Sequence, residues 1–484
     1  MLKNDTISAL NAFILSTALA ETDDNLYMYN KFRSDKVGPF RLLPDSRDAV
    51  CSQRLYRVPE EDLKVSIIIV YHNEARSMLV RTLVSILART SSRYLEEILL
   101  LDDYSKDVKL LAQFSTLNLA THSSVRIRMH RNSKRLGVIA SRNLGAKLAL
   151  GHYLVFLDSH CEVNVGWLEP LLDRVTASVD DNVAVSPTLD SIDATTFDYY
   201  GMVKILKGGF DWSLHFHWVS PYESPTFSGG IFMISRNWFF KLNGFNPFLE
   251  IWGGESIEMS IKIWLCGGQI EIIPCSRVGH VFRKQHPFGF PHGDNGQLTY
   301  LRNSKVIADS WLDEYKYLFY ASKPAARNIS ISMPTRAVEK LKQDLHCRPF
   351  SWFLQNVFME LKLPNEEYIA YGQLSSDARC LQITGHQLYM TSCYENDVTE
   401  WHLGRTSGQL LVTSTVPHRN LAVVLQYCKS SGASQRWLRH NGRLIHAATR
   451  LCLDNPLKDV VTVSRCRRVA PTQLFRFSME MQQF

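Results

Sequence analysis

The stretch VSIIIVYHNEARSMLVRTLVSIL, at residues 65–87, contains two kinds of periodicity that together indicate the fold. Residues 65–70 form a short apolar run rich in β-branched side chains, as expected of a strand that is buried on both faces. Residues 76–88 then place their apolar side chains at helical spacing. The same alternation continues outward, with strands predicted at residues 97–101, 126–130 and 153–157 and a helix at residues 137–150. This order predicts a doubly wound α/β domain.

Acidic residues follow two of these strands directly. Asp102 and Asp103 come after one strand and Asp158 comes after another. Because ligands of doubly wound sheets bind at the carboxyl ends of the strands, these carboxylates are predicted to face a common site. Asp158 and His160 are two positions apart in an extended segment, so their side chains point the same way and form half of a metal site. The alternative is that Asp158 only caps a turn.

Two later segments carry further candidate side chains. His280, in the segment CSRVGHVFRKQH, is the best candidate for a third metal ligand, although a single histidine there also fits a polar core position. Arg283, Lys284 and His286 form a cationic cluster suited to phosphate. In the Trp-Gly-Gly-Glu sequence at 252–255 the glycines allow close approach of a ligand, the indole offers a stacking face and the carboxylate can accept sugar hydroxyls. A tight turn with a capping acid is the alternative.

The last third of the chain has a repeated pattern. A cysteine precedes an aromatic residue by eight or nine positions three times, and the aromatics Trp401, Trp437 and Phe475 are spaced 36 and then 38 residues apart. One such unit of about 40 residues cannot bury its own apolar face, so three of them predict an all-β, threefold β-trefoil domain. The alternative is chance placement of three aromatics.

Size and charge limit the classes of function. The 484 residues correspond to a prior of about three domains, and 45% hydrophobic residues are typical of a globular protein. The net charge of +7 is spread over the chain, which argues against nucleic acid as the main partner but permits an anionic ligand such as a nucleotide diphosphate.

The cysteines and the N-terminus bear on the compartment. The ten cysteines are too scattered for a CxxC zinc site, and their spacing in the second half favours disulfides and hence the secretory pathway. Sequons at Asn4 and Asn328 are compatible with that route. Residues 7–20 resemble a weak signal-peptide core, with an ordinary amphipathic segment as the alternative, and no run is long enough for a spanning helix.

Long stretches of the chain resemble the polypeptide N-acetylgalactosaminyltransferases, secretory-pathway enzymes that begin mucin-type O-glycosylation. The resemblance covers nearly the whole catalytic half, and the trefoil corresponds to the ricin-type lectin domain of that family. The stretches that carry it are LPDSRDAVC (43–51), VSIIIVYHNEARSMLVRTLVSIL (65–87), FLDSHCEVNVGWLEPLL (156–172), GGFDWSLHF (208–216), IWGGESIEMSIKIWLCGG (251–268) and EIIPCSRVGHVFRKQHP (271–287).

The resemblance implies a function and a domain plan. The enzyme would transfer GalNAc from UDP-GalNAc to Ser/Thr hydroxyls of proteins with retention of configuration, by front-face attack and without an assigned enzymic nucleophile. It implies a GT-A-like nucleotide-sugar-binding domain, and the Golgi lumen as the location, with the anchor weak or missing. The expected divisions are an N-terminal segment or stem (1–45), the catalytic domain (46–330), a closing linker (331–367) and the lectin domain (368–484), which would bind GalNAc-glycopeptides.

The resemblance also implies roles for individual residues. Manganese would be held by Asp158, His160 and His280, and Glu255, Asp158 and Glu258 are the expected catalytic residues. The side chains expected to bind the donor substrate are Asp102, Asp103, Arg135, Trp252, Arg283, His286 and Phe288. Family pairing implies the disulfides Cys51–Cys275, Cys266–Cys347, Cys380–Cys393 and Cys452–Cys466, with Cys428 unpaired and Cys161 a free thiol.

The chain departs from the family pattern at several positions. Ser256 stands where the family usually has Asn, Ala140 where it has Arg, and Phe288 where it has Tyr, and the stretch 218–224 is shorter. An alternative function is therefore a weakened or inactive homologue that binds peptide or glycan, and a transferase that uses another UDP-sugar is a further alternative. In the lectin signature Cys-Leu-Asp, only the third unit keeps its aspartate, Asp454, so a structural role for this domain is the alternative to sugar binding.

Overall fold

A computed structural model of the chain forms two compact units. The N-terminal unit contains residues Met1–Phe210, Phe216–Asn295 and Met333–Phe358, and the C-terminal unit contains Asp211–His215, Gly296–Ser332 and Met359–Phe484. The structure describes residues 10, 12–14, 24–58, 63–108, 125–202, 207–219, 224–227, 229–283, 285–290, 296–331, 335–361, 363–364, 368–377, 379–384, 387–393, 401–404, 410–412, 435–456 and 461–480. Asn4, Lys284, Cys428 and most of 7–20 lie outside these ranges.

The N-terminal unit is built on a nine-stranded mixed sheet. Its strands are β1 (Val65–Tyr71), β2 (Leu95–Asp102), β3 (Arg126–Arg131), β4 (Tyr153–Asp158), β5 (Cys161–Val163), β6 (Val183–Ile192), β7 (Tyr199–Tyr200), β10 (Phe232–Ser235) and β11 (Gln269–Val281), and β8 (Lys207–Phe210) and β9 (Phe216–Val219) form a separate hairpin. The order in the sheet is β3-β2-β1-β4-β10-β6-β11-β5, with β7 paired to β6. Strands β3, β2, β1 and β4 are parallel, whereas β10 is antiparallel to β4 and β6. The predicted α/β domain is confirmed.

Helices cover this sheet and surround its edges. In the N-terminal unit they are Asp24–Tyr27, Lys31–Val37, Ala49–Gln53, Arg76–Arg89, Val138–Leu148, Glu169–Thr176, Arg236–Lys241, Glu255–Leu265, Thr335–Asp344 and Phe350–Asn356. In the C-terminal unit they are Gln297–Trp311 and Lys316–Ser322. Within the described ranges, no helix has the length and apolar character needed to cross a membrane.

The register of the parallel strands brings their carboxyl ends to one edge. Tyr71, the last residue of β1, lies beside Asp102, and Val70 lies beside Asp158. Strands β1, β2 and β4 are largely buried up to these positions, because Ile67, Ile69 and their neighbours pack in the apolar core, whereas β3 is partly exposed. The first polar side chains after each strand therefore reach the same edge of the sheet.

Described residues of the predicted N-terminal segment (1–45) pack into this unit. Buried Arg81 donates from its guanidinium to the carbonyl oxygens of Ser34 (2.9 Å) and Gly38 (2.8 Å). Arg41 forms a two-nitrogen contact with buried Glu162, with bonds of 2.9 and 2.7 Å. Residues 296–332, which the sequence assigned mainly to the catalytic domain, fall in the C-terminal unit. The domain boundaries remain a prediction.

The C-terminal unit is rich in short strands, consistent with the predicted β-trefoil. Its core includes Trp401, Leu403, Leu453 and Phe475. The strands are β12 (Tyr368–Ser376), β13 (Arg379–Thr384), β14 (Gln387–Ser392), β15 (Trp401–Gly404), β16 (Leu410–Val412), β17 (Trp437–His440), β18 (Arg443–His446), β19 (Cys452–Asp454), β20 (Thr462–Ser464) and β21 (Arg476–Glu480). One sheet has the order β14-β13-β12-β15-β16 with β21 paired to β12, and another has the order β17-β18-β19-β20.

The structure contains the disulfides that the resemblance implies. They join Cys51 to Cys275, Cys266 to Cys347, Cys380 to Cys393 and Cys452 to Cys466. Cys161 is a buried free thiol, as expected. Burial raises its pKa well above the usual range, so it stays protonated. Two bonds link parts of the N-terminal unit that are far apart in sequence, and the other two close short loops in the C-terminal unit.

Candidate metal and donor site

Asp158, His160 and His280 form a cluster at the carboxyl edge of the sheet. Their ligand atoms all lie within 4.8 Å of one another. Asp158 ends β4, His160 follows it two residues later, and His280 lies on β11, where it pairs with Cys161 of β5. The Nε2 of His280 is 3.4 Å from Oδ2 of Asp158. The predicted triad is therefore brought together by strands that are distant in sequence.

The chemistry of these ligands fits Mn²⁺. One carboxylate and two imidazoles form the set of hard oxygen and borderline nitrogen ligands that first-row divalent cations accept. Burial, together with nearby Arg283, lowers the pKa of His160 to about 4, so the ring is neutral and can act as a ligand near neutral pH. The Nδ1 of His280 is buried and has no hydrogen-bond partner among the described residues. Asp158, His160 and His280 are thus the side chains that would hold the ion.

Glu74, which sequence patterns did not single out, accepts several hydrogen bonds behind this cluster. Its Oε2 accepts from Ser159 Oγ (2.8 Å), His160 Nδ1 (3.1 Å) and Arg283 (2.6 Å), and its Oε1 accepts from the Tyr29 hydroxyl (2.7 Å). Burial alone would raise the pKa of Glu74, but Arg283 and His160 hold it well below its usual range. The contact with Nδ1 leaves Nε2 of His160 for a metal ion, the usual arrangement of a carboxylate behind a ligating histidine.

Arg142 bridges the metal cluster and the Trp-Gly-Gly-Glu segment, and it too was missed. Its guanidinium donates to Oδ1 of Asp158 (2.7 Å) and to Oε1 of Glu255 (3.2 Å). The other oxygen of Glu255 accepts from the backbone N–H of Gly253 at 2.9 Å. Gly230 leaves room for this bridge, since a Cβ there would lie 1.9 Å from the guanidinium. Burial would raise the pKa of Asp158, but His280 and Arg142 lower it strongly.

Asp102 and Asp103 are buried and shape a loop. Asp103 accepts from the backbone N–H groups of Leu136 (2.7 Å) and Gly137 (2.8 Å), and its Oδ2 lies 3.0 Å from Nε of Arg135. Asp102 accepts from Arg131 and from the backbone N–H of Ser105. Asp103 thus holds the chain that follows β3, whereas Asp102 joins the end of β3 to the turn after β2. The contact of either carboxylate with a nucleotide stays a prediction.

The remaining donor candidates form an aromatic row. The ring centres of Trp252 and His286 are 4.0 Å apart, and those of His286 and Phe288 are 5.3 Å apart. The guanidinium of Arg135 lies 5.3 Å from the centre of the Phe288 ring. Burial, and then the charge of Arg283, lower the pKa of His286, so this surface has a neutral ring at its centre. Four of the predicted donor residues therefore lie together.

Glu258 lies deeper than its predicted catalytic role suggests. Its side chain is 1% exposed and forms an ion pair with Lys262 (3.2 Å), whose Nζ donates to the carbonyl oxygen of Gly244 at 2.7 Å. A catalytic role for Glu258 stays a prediction.

Ser256, one residue after Glu255, uses its backbone carbonyl oxygen to accept from the Ser260 hydroxyl at 2.6 Å.

Asp454 of the C-terminal unit points into its own fold. Its side chain is 1% exposed, and Oδ2 accepts from Ser464, Gln473 (3.0 Å) and Arg467 (3.1 Å). These bonds tie β19 to β20 and to the last turn before β21. The predicted sugar contact by Asp454 stays a prediction.

Comparison with known proteins places these features in context. A family model described as glycosyl transferase family 2 matches residues 66–241, and one described as the N-terminal domain of galactosyltransferase matches residues 214–287. A Drosophila melanogaster relative, numbered 13 among the polypeptide N-acetylgalactosaminyltransferases, is 47% identical over 496 residues, covering 96% of this chain and 88% of the relative. Polypeptide N-acetylgalactosaminyltransferase 16 of Mus musculus is 38% identical over 480 residues, covering 92% of this chain and 83% of the relative.

A solved structure extends the comparison to the fold. The crystal structure of GalNAc-T7 with UDP, GalNAc and Mn²⁺ has a TM-score of 0.76 and 28% sequence identity to this chain. The similarity covers 99% of this chain and 90% of that chain. It therefore includes both the mixed sheet with its site and the strand-rich C-terminal unit.

Proposed function

Because the chain belongs to the polypeptide N-acetylgalactosaminyltransferase family, we propose that it transfers GalNAc from UDP-GalNAc to Ser/Thr hydroxyls of proteins. The observation that carries the proposal is the Arg142 bridge between Asp158 of the metal triad and Glu255 of the Trp-Gly-Gly-Glu segment. It joins a site for a cation to a site for a sugar in one buried network. Such a network suits a nucleotide sugar, whose diphosphate and sugar are adjacent.

The residues of this chain divide the work of donor binding. When Mn²⁺ is bound, it supplies Lewis-acid neutralisation of the charge that builds on the departing UDP. Arg283, held by Glu74, and Arg135, stacked on Phe288, present cationic groups to the diphosphate side. Trp252 and Glu255 offer a stacking face and a hydrogen-bond acceptor to the sugar.

The transfer itself needs no enzymic nucleophile. The bond from the anomeric carbon to the diphosphate oxygen breaks while the acceptor hydroxyl oxygen forms its bond on the same face, so configuration is retained, and the hydroxyl proton passes to the departing diphosphate. The carboxylates that line the site are engaged: Arg142 holds Asp158 and Glu255, and Lys262 holds Glu258. Their work is orientation of donor and metal, which is where much of a transferase's rate enhancement originates.

The setting proposed for this reaction is the Golgi lumen. The disulfides require an oxidising compartment, which the secretory pathway provides. Acceptors would be Ser/Thr-containing proteins, and GalNAc-glycopeptides would bind through the C-terminal unit. The inward orientation of Asp454 weighs against the glycopeptide part of this proposal.

A weakened or inactive homologue is the second candidate, and specific residues favour it. Ala140 and Ser256 offer no side-chain guanidinium or amide, and Phe288 offers no hydroxyl, where the family pattern has those groups. Loss of one buried hydrogen bond costs about 1 to 3 kcal/mol, or roughly tenfold to a hundredfold in rate. The metal triad and Glu255 are retained, so we favour an active enzyme.

Incubation of the purified protein with Mn²⁺, UDP-GalNAc and a panel of Ser/Thr peptides tests the proposal. We expect incorporation of GalNAc that is lost on chelation with EDTA, with UDP-GlcNAc and matched peptides carrying Ala at every Ser/Thr position as controls. If no peptide, with or without prior GalNAc, is modified and no UDP is released, the protein is not a transferase. Transfer from UDP-GlcNAc alone would favour a different donor.

A further inference from the structure

The N-terminal segment contributes a buried tyrosine to the back of the metal cluster. Tyr29 is 3% exposed and precedes the helix Lys31–Val37. Its ring lies in an apolar cluster with Ala75, Phe197 and Val281, and the backbone N–H of the next residue, Asn30, donates to the carbonyl oxygen of Ala194 at 2.8 Å. The apolar cluster around the ring and the backbone bond of Asn30 thus fix the position of the Tyr29 side chain.

Tyr29 makes two directed contacts with residues around the site. Its hydroxyl donates to Oε1 of Glu74 at 2.7 Å. The guanidinium of Arg283 lies 5.1 Å from the centre of the Tyr29 ring, within the range of a cation–π contact. Burial, and then the charge of Glu74, raise the pKa of Tyr29 well above its usual range, so the phenol keeps its proton and is the donor.

These contacts fix the one carboxylate that orients both the metal ligand and the phosphate-side cation. Oε2 of Glu74 accepts from His160 and Arg283, whereas Oε1 accepts from the Tyr29 hydroxyl at 2.7 Å and from the backbone N–H of Ala75 at 3.2 Å. Rotation of the carboxylate would exchange one set of bonds for the other. The Tyr29 hydroxyl, the shorter of the two contacts to Oε1, thereby helps to keep Oε2 directed at His160 and Arg283.

We propose that Tyr29 is a positioning residue for donor and metal binding, which acts through Glu74 on His160 and Arg283. The proposal rests on the proposed function, because it assumes that Mn²⁺ binds at the Asp158 cluster. Tyr29 lies in the segment that the family resemblance implies to be a stem, so the proposal assigns part of the site to that segment. The hydroxyl is the group that matters, and the ring alone fills the apolar cluster.

The test is Tyr29→Phe, which keeps the ring and removes the hydroxyl. Titration of Mn²⁺, followed by the electron paramagnetic resonance signal of the free ion, should show about fivefold weaker binding, as expected for loss of one bond behind a metal ligand. UDP binding in the presence of Mn²⁺ should weaken to a similar extent. The matched control is Tyr199→Phe, which removes a buried hydroxyl that donates to Asp190 at 2.8 Å and should leave Mn²⁺ affinity unchanged.

A double-mutant cycle with Glu74→Leu isolates the route, because leucine cannot accept from the Tyr29 hydroxyl. If Tyr29 acts through Glu74, adding Tyr29→Phe to Glu74→Leu should weaken Mn²⁺ binding no further than Glu74→Leu alone. Unchanged Mn²⁺ affinity in Tyr29→Phe, or effects that add fully in the double variant, would overturn the proposal. A parent protein that binds no Mn²⁺ would instead overturn the proposed function, so the two failures are distinguishable.

Discussion

Two aspartates that sequence motifs single out, Asp158 and Asp454, have opposite surroundings in their respective units. The side chain of Asp158 is 23% exposed, and one of its oxygens faces His280 at the carboxyl edge of the sheet. That of Asp454 is 1% exposed and is enclosed by donors from its own fold, Gln473 among them. A motif thus identifies a carboxylate, but the packing around it decides whether one of its oxygens is accessible to a ligand.

The largest contrast is expected between Asp158→Asn and Asp454→Asn. Asp158→Asn removes an anionic ligand of the metal triad and should lower kcat/KM for GalNAc transfer by roughly a thousandfold, equivalent to several kcal/mol. Asp454→Asn should change kcat/KM less than about twofold, because the contacts of Asp454 are internal. Steady-state kinetics with one peptide measures both. Comparable losses in the two variants would show that the comparison is wrong.

Arg142→Lys tests the bridge that keeps Asp158 oriented. Lysine retains the charge but cannot bond Asp158 and Glu255 at once, so we expect kcat/KM to fall by roughly tenfold to a hundredfold. Arg174→Lys is the matched control, since Arg174 makes a two-nitrogen contact with Glu271 on the partly exposed surface. That variant should keep its activity. Equal activity of both variants would leave the bridge without a catalytic role.

Ser256→Asn asks whether the site can be strengthened. The amide restores a group that the family pattern has at this position, and we expect transfer to rise by about tenfold if it gains a buried hydrogen bond. Ser91→Asn, at an exposed position, is the control and should have no effect. Peptide glycosylation rates measure both. Unchanged turnover in Ser256→Asn would mean that neighbouring groups already compensate.

The smallest functional effect concerns the C-terminal unit. Asp454→Asn should lower the stability of this unit by about 1 to 3 kcal/mol, because the amide oxygen lacks the negative charge that strengthens the bonds to Oδ2, including the one from Arg467. Thermal unfolding measures this loss, and saturation-transfer NMR with free GalNAc measures binding. We expect no GalNAc binding in either the parent or the variant. Binding that is present in the parent and lost in the variant would restore Asp454 as a sugar ligand.

The parts of the molecule that the sequence could predict are those with local patterns. Alternating buried strands and helices locate the carboxyl edge, and the spacing of Asp158 and His160 places two ligands there without knowledge of the rest. The ligand from β11 needed the resemblance as well, because the strand that brings His280 to the edge is more than a hundred residues away. Local periodicity does not encode such pairings.

Residues that act by bridging distant segments were missed for the same reason. Glu74 and Arg142 resemble ordinary polar positions, after a strand and within a helix, and their roles depend on partners far along the chain. A weak signal existed for Glu74, since it follows a buried strand whose end lies at the edge. The sequence did single out Asp103, whose carboxylate accepts from the backbone of the loop after β3, and its contact with a nucleotide stays a prediction.

The bond between Cys51 and Cys275 has a consequence for biosynthesis. The two cysteines are 224 residues apart, and Cys275 lies on β11 five residues before His280. At about 5 to 20 residues per second, the ribosome takes roughly 10 to 45 seconds to deliver the second thiol after the first. Cys161 and Cys266 emerge in between; Cys161 is buried as a free thiol in the folded protein, and Cys266 pairs with the later Cys347. The Cys51–Cys275 bond is therefore a late step, because it cannot form before the ribosome has reached residues next to the metal-ligand candidate His280.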